Sequence, residues 1–202
     1  MKPELQQKLF DKYPKIFGDR TKPMTETCMC WGLDVGDGWY DIIDTLCEAL
    51  TYTYSTSVEI DEEDGKRLGI EPYKMGGEDN YFFQVEPPQV IATQVKEKYA
   101  RLRFYYREEY DEKFMSLYQT GKYPDLQRII NRYSDYLNGI VHFAETASGR
   151  TCEMTGQPGE IHASGGSRNG WLKVLNKEYA KTALADRNYV PWSEIPKYEE
   201  PA

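Results

Sequence analysis

Gln94-Val95-Lys96-Glu97-Lys98-Tyr99-Ala100-Arg101-Leu102-Arg103-Phe104-Tyr105-Tyr106 is the stretch on which the fold turns. Apolar and polar residues alternate with a period of two, the mark of strands with one buried face. With Ala100-Arg101 as a two-residue turn, Tyr99 opposes Leu102 and the stretch closes as a β-hairpin. One face then collects Ile91, Thr93, Val95, Glu97 and Tyr99 against Leu102, Phe104 and Tyr106. The other collects Gln94, Lys96, Lys98, Arg103, Tyr105 and Arg107, with Arg101 at the turn. Ala-Arg is a poor turn pair, because primed turns favour Gly or Asn where φ is positive. Lysines on such a face ordinarily keep sheet edges from pairing with other chains. The sharper reading is a phosphate or nucleotide contact surface, with Lys96, Lys98, Arg101, Arg103 and Arg107 for charge and Tyr105 for stacking. Glu97 is the anomaly, since a carboxylate on an apolar face needs a partner or a raised pKa.

Outward from the hairpin, the pattern is mostly helical. Residues 4–12 form a short helix with Leu5 and Leu9 on one side, ending before Pro14. Residues 28–33 read as a short strand. Asp37 is placed to cap a helix running to about Leu50, with Trp39, Ile42, Ile43, Leu46, Cys47 and Leu50 as its buried stripe. Its opposite side carries a carboxylate ladder, Asp37, Asp41, Asp44 and Glu48. That ladder is a solvated face or a docking face for a basic partner; a straight ladder does not converge on a divalent ion. Residues 51–88, with the acidic run Glu59–Asp64, read as a long insertion. Glu108 to about Thr120 reads as a helix. A longer helix starts near Pro124 and ends about Ser148, with Leu126, Ile129, Ile130, Tyr133, Leu137, Ile140, Val141 and Ala144 inward and His142 outward. A turn-rich knuckle follows from 151, then a helix from about Trp171 and a Pro- and Glu-rich tail over 191–202. The expectation is one α+β domain over 1–190. A small antiparallel sheet around the hairpin is covered by amphipathic helices, with the knuckle and terminal helix at 151–180.

Composition narrows the function. The chain has 202 residues and a net charge of −8, so nucleic-acid contact has to be local. No apolar run approaches the roughly 20 residues of a membrane span. Four cysteines with Cys28-Met29-Cys30 spacing make no disulfide framework, and no targeting segment is read at the start. The expected compartment is the cytoplasm. Two histidines supply a His-based active site poorly. No Ser-His-Asp or Cys-His set, phosphate-cradling loop or His-Glu metal motif is read, and Gly36-Asp37-Gly38 is a weak nucleotide signal. No cofactor is expected. A binding protein is favoured over an enzyme, with a carboxylate hydrolase using Glu97 as the minor alternative.

Three blocks carry a resemblance: Gly36-Asp37-Gly38-Trp39-Tyr40-Asp41-Ile42-Ile43, Gln94-Val95-Lys96-Glu97-Lys98-Tyr99 with Leu102-Arg103-Phe104-Tyr105, and Thr151-Cys152-Glu153 with Gly156-Gln157-Pro158-Gly159 and Gly170-Trp171-Leu172. In this order they resemble a family of small uncharacterised bacteriophage and prophage proteins. The resemblance implies a phage accessory protein in a host bacterial cytoplasm, without a mechanism. Two roles are compatible with it: countering host defence by sequestering a nucleotide signal or contacting nucleic acid, or binding a host protein through Asp37, Asp41, Asp44 and Glu48. Members of the family carry a Cys₃His zinc knuckle. Here Cys152 stands at the first ligand position, but Thr155, Asn176 and Tyr179 stand at the others, so a metal-free knuckle is expected. Packing must then replace a metal contribution on the order of 10 kcal/mol in small zinc modules.

Overall fold

The computed structural model describes residues 1–52, 54–75, 77–182 and 184–196. Its elements in chain order are α1 (Pro3–Lys12), β1 (Leu33–Asp34), α2 (Tyr40–Thr51), β2 (Thr56–Ile60), α3 (Glu62–Leu68), β3 (Tyr73–Met75), β4 (Glu78–Val85), β5 (Gln89–Glu97), β6 (Leu102–Glu109), α4 (Glu112–Gln119), α5 (Pro124–Ser148), β7 (Glu160–Ala163), β8 (Leu172–Leu175), α6 (Lys177–Thr182) and β9 (Val190–Pro191). The fold is α+β, with three three-stranded sheets ordered β1-β5-β6, β2-β4-β3 and β8-β7-β9. Among the described residues all pairings are antiparallel except β1 with β5.

The hairpin packs as expected against α2 and α5. Val95, Leu102 and Phe104 meet Ile43, Leu46 and Leu50 of α2 and Leu137, Val141 and Ala144 of α5 in one core, which α1 closes with Leu9 and Phe10. The turn, however, is Tyr99-Ala100 rather than Ala100-Arg101. Lys98 and Arg101 bond to each other across it (2.8 and 3.3 Å), and Glu97 pairs with Leu102. The pairing thus shifts by two residues, which preserves the faces where a shift by one would exchange them. A bulge between Ala92 and Gln94 does exchange them farther along: Val90 and Ala92 join this core, and Ile91, still buried, falls on the opposite face.

Residues 51–88, expected as a long insertion, carry regular structure. They supply β2, α3, β3 and β4, and with α4 they make a second core of Val58, Ile60, Tyr81, Phe83, Phe114 and Leu117. The Asp61 side chain caps α3 through the Asp64 amide at 2.8 Å. Helix α5 joins the two cores. Leu126, Ile129 and Tyr133 lie in the second and Leu137, Val141 and Ala144 in the first. At about 1.5 Å per residue its length is roughly 37 Å.

Other differences are local. Residues 29–31 form a 3-10 turn, and only Leu33–Asp34 is strand. Asp37 does not cap α2, which starts three residues later; its carboxylate accepts the Lys2 amide at 2.7 Å. Strand β6 continues to Glu109, so α4 starts only at Glu112. The four apolar-rich residues Leu172–Leu175 are strand, not helix, a short run that periodicity alone does not resolve. The first part of the tail pairs with β7 through Pro191 and Val190. Residues 197–202 of it lie outside the described residues.

The knuckle is tied by hydrogen bonds. The Cys152 amide donates to the Gln157 carbonyl (2.7 Å) and the Gly156 amide to the Cys152 carbonyl (2.9 Å). Asn176, at the third ligand position of the zinc pattern, donates to the Pro158 carbonyl (3.1 Å) and accepts the amides of Glu178 (3.0 Å) and Tyr179 (3.4 Å) at the start of α6. Asn176→Ala is therefore expected to lower stability by about 1–2 kcal/mol, read as a lower urea midpoint. An unchanged midpoint would show that the knuckle holds without this clamp.

Candidate functional site

The outward face of the hairpin divides into a covered half and an open half. Residues 16–27 pack over the end near Ile91: the Ala92 amide donates to the Ile16 carbonyl (2.8 Å) and Thr27 Oγ1 to the Thr93 carbonyl (3.2 Å). Arg107 lies in this half and is committed. Its guanidinium bonds Asp19, which is 4% exposed, and Glu109 at 2.8 Å. The Arg107 guanidinium, helped by Lys22, outweighs burial and holds the Asp19 carboxyl below its ordinary range.

The open half brings together Lys96, Lys98, Arg101, Arg103 and Tyr105, because the pairs Lys98/Arg101, Lys96/Arg103 and Gln94/Tyr105 fall on one face. Arg103 is taken by Glu145 of α5 at 2.8 Å. The same Glu145 accepts the Phe104 amide (3.1 Å), and Ser148 accepts the Leu102 amide (2.8 Å), so α5 closes the edge of β6. Lys96, Lys98 and Arg101 have no carboxylate within ion-pair distance among the described residues. The Lys96 ammonium lies 5.6 Å from the Tyr105 ring centre and that of Lys98 5.4 Å from the Tyr99 ring centre. Tyr105 is 42% exposed. It stands between two shallow clefts, one of ≈ 470 Å³ bordered by Thr27, Cys28 and Gln94, the other of ≈ 580 Å³ bordered by Asn138, His142 and Glu145.

The core-side carboxylate Glu97 has both a partner and a raised pKa. Glu97 Oε1 accepts the Ala100 amide at 2.7 Å and thereby ties the turn. Burial raises the Glu97 pKa more than this bond lowers it, and the nearby Glu153 carboxylate raises it further. Glu97 borders a cleft of ≈ 700 Å³ with Asp34, Glu153, Met154, Trp171 and Lys173. Both Glu153 oxygens are engaged, one with the Gly36 amide (3.0 Å) and one with Lys173 (2.7 Å). Glu153 therefore clamps the knuckle onto the 36–38 loop. Among the described residues no group of three or more His, Cys, Asp or Glu side chains is placed to hold a metal ion.

The acidic ladder is half neutralised. Asp37 pairs with Lys2 (3.3 Å), and Asp44 accepts Lys12 (2.8 Å) and the Tyr13 hydroxyl (2.9 Å), both from α1 or its end. Asp41 and Glu48 remain exposed without ion pairs among the described residues. No family model, curated protein or solved structure matches the chain. Among the described residues no helix is long and apolar enough to cross a membrane.

Proposed function

We propose that this chain is a non-enzymatic binding protein whose open hairpin face takes a single-stranded nucleic acid. The observation that carries the reading is the set of three cations, Lys96, Lys98 and Arg101, left without carboxylate partners on one strand face beside the half-exposed Tyr105 ring. Cations aligned along a sheet with an aromatic ring among them form the kind of surface on which successive bases stack and phosphates pair. A mononucleotide signal fits less well, because small ligands select concave sites and these cations border none of the clefts described above. The acidic-partner alternative retains only Asp41 and Glu48 of its four carboxylates. The resemblance to phage proteins suggests the setting, an accessory protein acting against host defence in a bacterial cytoplasm.

Fluorescence anisotropy with a twelve-residue oligothymidylate tests the reading. Three phosphate contacts on a single strand give an expected log–log salt slope of about −2. The double variant Lys98→Glu, Arg101→Glu should lose roughly tenfold or more in affinity, a factor of ten being about 1.4 kcal/mol. Failure of the wild-type chain to bind at low salt, or equal binding by the double variant, would overturn the proposal.

A further inference from the structure

The turn that joins the two strands is strained, and only one of its residues is explained by packing. Tyr99 and Ala100 both have left-handed backbones, with φ of 53° and 58°. A two-residue turn of this hand favours Asn-Gly, since side chains beyond glycine are disfavoured at positive φ. Ala100 is accounted for. It is fully buried, and its amide bonds Glu97, so the site demands a small residue. Tyr99 is not. Its side chain is 72% exposed, and its hydroxyl has no hydrogen-bond partner among the described residues. Among the described residues its one ring contact is with the neighbouring Lys98. Nothing in the fold asks for a large aromatic at this position, and the backbone there disfavours one. Strained positions that packing does not explain are where function is to be sought.

We infer that Tyr99 is a ligand-binding residue, a second base-stacking ring displayed at the hairpin tip; this rests on the proposed single-strand reading. Five residue steps lead from the turn to Tyr105, about 17 Å at roughly 3.4 Å per residue of antiparallel strand. Lys96, Lys98 and Arg101 lie along that interval. The two rings would thus hold the ends of a short run of nucleotides, with the cations on the phosphates between them. Stacking on an exposed ring tolerates any base, so the site would show little sequence preference.

The substitution Tyr99→Asn separates binding from folding, because Asn is the residue that the turn itself favours. Its melting temperature should rise by roughly 2–4 °C, while affinity for oligothymidylate falls by roughly tenfold. Tyr99→Phe keeps the ring and should bind as the wild type does. If the wild type binds and Tyr99→Asn binds equally well, the inference about Tyr99 fails and the hairpin reading stands. If the wild type does not bind, both fail. A lowered melting temperature for Tyr99→Asn would show that the ring serves the fold, and would also overturn the inference.

Discussion

Replacing Gly38 by alanine is expected to lower the melting temperature by about 10 °C or more. A Cβ at position 38 would stand 2.7 Å from the Thr155 amide nitrogen and closer still to the Cys152 carbonyl oxygen and the Gly156 amide nitrogen. All three atoms are backbone, and the knuckle bonds that hold them cannot relax as a side chain would. Overpacking commonly costs 1–3 kcal/mol. Here about 3–5 kcal/mol is expected, which at this chain length corresponds to roughly 10 °C. The Gly38 amide also donates to the Glu153 carbonyl at 2.8 Å, and Trp39 Nε1 donates to the Thr151 carbonyl at 2.8 Å. A displaced loop would lose both. Gly139→Ala is the matching control. It lies exposed inside α5 with nothing within 4 Å of its new methyl, so a gain of about 0.5–1 kcal/mol is expected. Equal melting temperatures for Gly38→Ala and the wild type would show that the loop and knuckle are not docked as described.

That contact also reassigns a motif. Gly36-Asp37-Gly38 looked like a feeble nucleotide loop. Its glycines instead leave room for the Glu153 and Cys152 backbones, more than a hundred positions away. Such a partner leaves no local trace. Helix α5 was legible because Pro124 opens it and its apolar stripe repeats over 25 residues. The hairpin faces between Gln94 and Tyr105 were legible for the same reason of period, and survived a misplaced turn because the shift was two residues; the bulge before Gln94 left no such signal. The turn itself was not legible, since Tyr-Ala carries none of the usual left-handed signature. The sheet within 56–85 was hidden by its glycines and acidic run, and it forms only through β2 pairing with β4 across α3 and β3. The candidate site was half legible. Sequence gathers the cations onto one face. It does not reveal that Arg103 meets Glu145 from 42 positions away, or that Arg107 meets Asp19 from 88 positions away.

Acid is expected to loosen the second core first, through Asp64. This carboxylate is 3% exposed. One oxygen accepts Arg67 (2.9 and 2.6 Å), and the other accepts the Tyr123 hydroxyl (2.7 Å) and Lys122 (3.2 Å). It therefore pins α3 to the start of α5. The Tyr123 hydroxyl and the Arg67 guanidinium hold its pKa down at about 2, against an ordinary 3.8. A carboxyl with a depressed folded-state pKa binds protons more readily when unfolded. Its stabilisation is complete above the unfolded value and is lost as pH falls from about 4 toward 2. Asp19 acts with the same sign through Arg107. Glu97 acts with the opposite sign, because its raised pKa favours the folded state when protonated; mild acidification toward its ordinary range is expected to help rather than harm. Melting temperature should thus hold or rise slightly down to about pH 5, then fall steeply below pH 4. Asp64→Asn should cost about 2 kcal/mol at neutral pH, toward the low end for a broken buried pair because Arg67 and Lys122 are each 45% exposed. The same substitution should flatten the fall between pH 4 and pH 2. A variant with the wild-type slope in that window would show that Asp64 is not the group whose protonation releases the second core.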